Sequence, residues 1–440
     1  MSELSVKAEL IEQRPVPPGN HASLLQSLGP GLITGAADDD PSGIATYSQV
    51  GAQLGLSMLW TMLFSFPLMA AIQEICARLG RITGAGIAEN LRRHYPKPVL
   101  YGLVSLLCLA NIFNLGADVT AMGAAAQLVF GGSVNAYALI FGLLSLLLQV
   151  YVPYKKYVCY LRWLTLVLFA YVATAFVVHV PWKMVVRATL IPSLSWTADY
   201  WMALVGVLGT TISPYLFFWQ TSGEAEEVRV NPGERPLNKK PSQAFEQFRR
   251  IAIDTRVGMG FSNLVAFFII LTTAVTLHAS GGGKGIQTSA DAAKALQPLA
   301  GNLAFLLFAL GVIGTGLLAV PVLAGSAAYA VAETFRWRAS LESKLHEAPK
   351  FYIVLAAATI IGISLNFLGM DAIRALFWSA VINGVVAVPL MVMLMVMSAN
   401  STIIGKFPLP GYLHMIGWGA TVAMFLASLA FILSGVRGLF

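Results

Sequence analysis

Three consecutive carboxylates, Asp38, Asp39 and Asp40, stand before Pro41-Ser42-Gly43 inside a long apolar stretch. Proline withdraws a backbone N–H and frees carbonyl oxygens on the preceding turn. Carboxylates and free carbonyls at membrane depth are not tolerated against lipid, so they must face protein, water or a cation. A second polar break, Gly209-Thr210-Thr211-Ile212-Ser213-Pro214-Tyr215, interrupts another apolar stretch. Together the two breaks describe an oxygen-lined cation site. Asp40 supplies charge, and neutral oxygens come from carbonyls released around Ala37 and Thr210 and from the hydroxyls of Thr210, Thr211 and Ser213.

Soft and imidazole ligands are missing from this set. The six histidines fall outside the apolar stretches or at their ends, and neither Met nor Cys occupies 209–215. By ligand softness the site suits Mg²⁺ or Ca²⁺ better than iron, copper or zinc, with Mn²⁺ tolerated. Mg²⁺ gives up its water reluctantly. Small residues at Ser42, Gly43, Thr210 and Ser213 leave room for a partly hydrated ion. Neighbouring residues of a helix diverge by about 100°, so the three aspartates cannot all reach one ion. Asp40 is the expected direct ligand and Asp39 the second choice, with Asp38 and Asp39 lining the path or capping a half-helix.

Asn111, Asn114 and Asp118 recur at i, i+3 and i+7, a polar stripe that lines a water path or a proton path, or forms a hydrogen-bonded seam between helices. Asn366 and Asn383 are lone polar groups in apolar stretches, where interhelical bonding is the default. Glu74 four residues before Arg78 reads as a structural ion pair. Cys76, Cys108 and Cys159 form no paired motif and read as packing residues. No bound cofactor is expected, the metal ion being cargo.

The elements that position these groups are membrane helices. A chain of 440 residues that is 57% hydrophobic and 11% charged, with mean hydropathy +0.72, lacks polar groups to cover a water-facing surface. About eleven stretches are long enough to cross about 30 Å of hydrocarbon. They lie near 24–52, 55–79, 98–130, 135–153, 158–181, 197–222, 251–278, 297–333, 350–368, 371–398 and 411–436, the eighth beginning as an interfacial helix. With the N-terminus in the cytoplasm, 22 of the 28 Lys and Arg fall inside, the asymmetry that sets membrane topology. That distribution assigns the net charge of +7 to orientation in a lipid bilayer rather than to nucleic acid. Residues 1–22 lack an apolar core and read as a cytoplasmic tail. The polar segment 223–250 reads as a solvated cytoplasmic loop whose Glu224, Glu226 and Glu227 stand apart from the site.

The two breaks open corresponding segments if the spans count as five plus five plus one, the pattern of an inverted-repeat transporter. Residues 23–181 then form the first five-helix repeat, 182–400 the second, and 401–440 the eleventh span. The expected protein is an all-α, multi-pass protein of the cell (inner) membrane; its oligomeric state is not legible.

The run Gly29-Pro-Gly-Leu-Ile-Thr-Gly-Ala-Ala-Asp-Asp-Asp-Pro-Ser-Gly-Ile-Ala-Thr, with Gly51-Ala-Gln-Leu-Gly and Gln73-Glu-Ile-Cys-Ala-Arg-Leu-Gly, resembles the start of the Nramp divalent-metal transporters. The resemblance implies a LeuT-type fold of eleven or twelve spans and alternating access around a midplane site. It also implies departures. The family's Asp-Pro-Gly-Asn falls on Asp40-Pro41-Ser42-Gly43, keeping the Asp ligand and replacing the Asn. Its Ala and Met-Pro-His pattern falls on Thr210 and Ser213-Pro214-Tyr215, and a later family histidine on Gln220. Loss of the thioether and of both histidines resembles the Nramp-related magnesium transporters, which carry Mg²⁺ and Mn²⁺. Tyr215 and Gln220 do not titrate near neutral pH, so transport without obligatory proton coupling is expected.

Two alternatives stand beside this reading. One is a proton-coupled Mn²⁺ or Fe²⁺ carrier of ordinary Nramp type. The other is a membrane-embedded enzyme using paired carboxylates, which needs two acids face to face; beyond the Asp run the spans offer Glu74 and Asp118.

Overall fold

The computed structural model describes residues 30–152, 164–231, 233–279, 285–341 and 343–437. The expected tail 1–22, part of the expected fifth span and Cys159 lie outside them. Among the described residues every regular element is helical. The main helices in chain order are α1 (Pro30–Asp38), α2 (Pro41–Leu54), α3 (Trp60–Thr83), α4 (Ile87–His94), α5 (Lys97–Phe130), α6 (Val134–Tyr151), α7 (Phe169–Val177) and α8 (Trp182–Leu190). They continue with α9 (Ala198–Thr211), α10 (Pro214–Val230), α11 (Ala244–Thr273), α12 (Ala304–Thr334), α13 (Pro349–Leu365), α14 (Ala372–Ala399) and α15 (Gly411–Arg437).

Eight helical segments are long and apolar enough to cross a membrane, taking α9 and α10 together, and two shorter apolar ones run Leu164–Val177 and Pro349–Leu365. The first apolar stretch is divided by its break into helices of 9 and 14 residues, and its beginning lies outside the described residues. Large apolar side chains on the outside, Leu109, Ile140, Phe176, Ile353 and Met415 among them, suit a hydrocarbon solvent. Short helical pieces from Ser289 to Leu303 precede α12, as expected for the eighth stretch. Pro67, Pro321 and Pro389 lie inside α3, α12 and α14, which continue through them.

Both expected breaks are present and built alike. Asp40 and Ser213 each precede a proline and each is extended, at φ −70°, ψ 169° and φ −77°, ψ 131°. Proline disfavours helical backbone in the residue before it. As the first residue of a new helix it is well placed, because its missing N–H would be unpaired there anyway. Each chain therefore stops and restarts within two residues, at Asp39–Asp40 and at Ile212–Ser213.

Close backbone approaches hold the breaks in place. A Cβ on Gly209 would lie 2.1 Å from the Ala380 carbonyl oxygen, and one on Gly316 2.5 Å from Met122 Sδ and 3.3 Å from Pro41 Cγ. Thus α9 abuts α14, while α5 and α12 close on Pro41. Along α11, a Cβ on Gly35 would lie 2.4 Å from the Gly258 carbonyl, and Gly31 N–H donates to Asp254 Oδ2 at 2.8 Å.

The segment 223–250 departs from the expected solvated loop. Helix α10 runs on to Val230 and α11 begins at Ala244. Glu224 is fully buried, with Arg250 at 2.6 Å and Arg81 at 3.7 Å. Two guanidinium groups supply the compensation that a lone carboxylate would take from water. Arg81 also meets Glu234 at 2.6 Å. Glu226 instead accepts from Tyr329 and Ser340, and Glu333 from Ser222 Oγ at 2.9 Å and the Glu89 N–H at 3.2 Å. These ties join α3, α4, α10, α11 and α12 at what we term the basic end.

Candidate functional site

Asp40 is the centre of the first break. Its Oδ1 accepts from Gly43 N–H at 2.7 Å, capping α2, as short acidic side chains do at a helix start. Its Oδ2 accepts from Asn114 Nδ2 at 3.0 Å and faces the Tyr215 hydroxyl at 3.4 Å. The same hydroxyl donates to the Ala37 carbonyl at 2.9 Å. Asp40, Ala37, Asn114 and Tyr215 thereby converge from both breaks and from α5.

Gly43 and Thr210 face each other closely, since a Cβ on Gly43 would sit 3.1 Å from Thr210 Oγ1 and 3.4 Å from the Asp38 carbonyl. The absence of a side chain at Gly43 keeps the two breaks in contact. Ser213 bonds back to its own helix, as a hydroxyl beside a proline break can. Its Oγ donates back to the Gly209 and Thr210 carbonyls, both at 2.9 Å, leaving its lone pairs for an ion.

Asp38 and Asp39 turn away from the second break toward α11. Ser262 Oγ lies 2.5 Å from Asp38 Oδ2 and 3.1 Å from Asp39 Oδ1. Asp118 follows Asn114 by one turn of α5, is fully buried, and has no hydrogen-bond partner at either carboxylate oxygen among the described residues. Asn383 on α14 is likewise buried with neither amide atom partnered. Its neighbours Ala380 and Gly384 touch Gly209, so this amide stands beside the second break rather than in an interhelical bond.

The remaining polar groups are structural. Asn111 donates to the Leu323 carbonyl and Ser326 of α12, and Asn366 bonds Thr120 and the Ile363 carbonyl. Glu74 pairs with Arg78 at 2.9 Å, as expected, and also with Arg256 at 3.2 Å. Gln220 accepts from Thr34. The stripe on α5 therefore divides, with Asn111 in a helix seam and Asn114 and Asp118 at the break. Ser262 had no sequence signal, being one hydroxyl in an apolar helix, and its role follows from packing alone.

At the opposite end from the basic network, a cavity of about 310 Å³ is lined by Gln49, Gln53, Met202, Gln287, Arg374 and Trp378. It lies at the far end of α2 and the start of α14.

Two discontinuous helices meeting within an all-helical bundle define a LeuT-like transporter fold. The nucleobase-cation-symport-1 family transporter Mhp1, in a closed conformation, has TM-score 0.57 at 13% identity, covering 93% of this chain and 89% of that one. An Eremococcus coleocola manganese transporter has TM-score 0.73 at 18% identity, covering 96% and 90%. Residues 31–434 match the family described as natural resistance-associated macrophage protein-like, Nramp. The chain belongs to the Nramp family. The Divalent metal cation transporter MntH of Yersinia pestis is 27% identical over 400 residues, 87% of this chain and 88% of that protein. Its namesake in Erwinia tasmaniensis is 27% identical over 342 residues, 75% and 78%. The chain is accordingly a multi-pass membrane transporter, not an enzyme.

Proposed function

We propose that this Nramp-family protein transports divalent metal ions, Mg²⁺ by preference with Mn²⁺ accepted, by alternating access and without obligatory proton coupling. The observation that carries the reading is the junction at Asp40, where groups of both breaks and of α5 meet around one carboxylate. Its carboxylate faces the Tyr215 hydroxyl of the second break and the Asn114 amide of α5, the same hydroxyl reaches the Ala37 carbonyl, and Thr210 of the second break lies against Gly43. No thioether or imidazole enters this set, which favours hard cations. The relatives' printed names, divalent metal and manganese transporters, support the substrate class.

In this reading Asp40 is the direct ligand. The Ala37 carbonyl, Thr210 and Ser213 give neutral oxygen, and Gly43 leaves space for retained water. Tyr215, Asn114, Asp118 and Asn383 hold that water or line the path. The ion enters from the cavity beside Gln49 and Gln53, while the Glu224–Arg81–Arg250 network closes the basic end, which faces the cytoplasm. Proton independence rests on Tyr215 and Gln220 standing where the resembling family carries histidines.

Mg²⁺ and Mn²⁺ uptake into proteoliposomes tests the reading. Asp40→Ala should abolish both fluxes, and a lumenal pH dye should stay silent during Mg²⁺ influx. Unchanged Mg²⁺ flux in that variant removes Asp40 from the site. Acidification that tracks Mg²⁺ entry overturns the uncoupled mechanism.

A further inference from the structure

Four carboxylates lie buried at the first break: Asp38, Asp39, Asp40 and Asp118 are 0, 4, 2 and 0% exposed. Among the described residues none of them forms an ion pair, the Lys and Arg pairs going to other acids. One dication at Asp40 leaves most of this charge unanswered. Asp40 itself receives Gly43 N–H, Asn114 and Tyr215. Asp38 and Asp39 receive Ser262 alone, and one hydroxyl carries one proton, so it serves one carboxylate at a time.

Other observations mark the same place. Asp38 Oδ1 has no partner. Asp38 is the last residue of α1, where the outward helix carbonyls repel an anion and attract a cation. Two carboxylates and the Ser262 hydroxyl make a hard-oxygen set matched in charge to a dication.

We propose that Asp38, Asp39 and Ser262 form a second station for the transported dication, next on its path from Asp40 and filled together with the Asp40 site at saturating metal. This rests on the divalent-cation reading above. Asp40 caps α2, whereas Asp38 ends α1, and α1 runs from the break toward Asp254, one turn of α11 beyond Arg250 of the basic network. A step from Asp40 to Asp38 and Asp39 is thus a step toward the basic end. Ser262 changes from hydrogen-bond donor to ligand as the ion arrives, and no covalent bond is made or broken.

The test counts Mn²⁺ bound to the full chain in nanodiscs by electron paramagnetic resonance and measures Mg²⁺ uptake by the same variants in proteoliposomes. The parent should hold two Mn²⁺ per chain, and Asp38→Asn/Asp39→Asn one. In that double variant, and in the milder Ser262→Ala, the maximal uptake rate should fall about tenfold with half-saturation little changed, the pattern of a lost step after initial binding. Asp40→Ala should lose the site that governs half-saturation. A parent that binds one Mn²⁺, lost in Asp40→Ala and kept in Asp38→Asn/Asp39→Asn, overturns the second station and leaves the proposed function standing. A parent with neither saturable Mn²⁺ binding nor uptake overturns the proposed function itself. Should the double variant lose its monodisperse elution profile, Ser262→Ala decides: parental rate and two bound ions overturn the station.

Discussion

Asn114 Nδ2 donates to Asp40 Oδ2 across 3.0 Å and so ties α5 to the mouth of α2. The bond aims one carboxylate oxygen while Gly43 N–H holds the other, leaving Asp40 a fixed charge rather than a swinging one. Asn114→Leu should raise the half-saturating Mg²⁺ concentration at least tenfold, since hydrogen bonds to charged groups contribute about 1.5–3 kcal/mol. Initial-rate uptake across a Mg²⁺ series measures this, and an unshifted half-saturation would show that Asp40 needs no such support.

Ser213 spends its proton on its own helix, which in the proposed function leaves its oxygen lone pairs to the ion. Ser213→Met brings a soft sulfur to the second break and, under the proposed function, should move selectivity from Mg²⁺ toward Mn²⁺ and Cd²⁺. Competition of Cd²⁺ against Mg²⁺ uptake, compared with the parent, reads the shift. Equal competition in both proteins would assign selectivity elsewhere.

The basic end makes a stability prediction. Arg81 is 1% exposed and meets Glu224, Glu227 and Glu234. Removing one partner from a buried charge network costs about 3–5 kcal/mol. Arg81→Ala should therefore lower the melting temperature of the purified protein strongly, while Arg338→Ala, whose pair with Glu347 is exposed, should leave it near the parental value.

Gly209 meets the Ala380 carbonyl without room for a methyl group. Gly209→Val should push α9 from α14, misplace Thr210 and abolish uptake in protein that still elutes as a single species. Retained flux would mean that the second break tolerates displacement.

Much of this architecture was legible because proline and charge leave strong marks in an apolar sequence. Asp40-Pro41 and Ser213-Pro214 announced both breaks, and the Glu74–Arg78 spacing announced its ion pair. The breaks proved shorter than the polar runs around them, because one extended residue before proline suffices to stop a helix. The segment after Gly223 was misjudged for a physical reason. Its charges suggest solvent, but Arg81, 143 residues earlier in the chain, and Arg250 allow Glu224 to be buried. Ser262 was illegible, since one hydroxyl in an apolar helix gains meaning from what packs against it.

The contact of α1 with α11 bears on how the transporter opens. Gly31 and Gly35 bring the backbone of α1 directly against the Asp254 carboxylate and the backbone of Thr255 and Gly258. Such a seam cannot loosen by degrees. Helix α1 either peels off whole, parting Gly31 from the Asp254 carboxylate, or carries α11 with it as one lever whose fulcrum is the two-residue gap at Asp39 and Asp40.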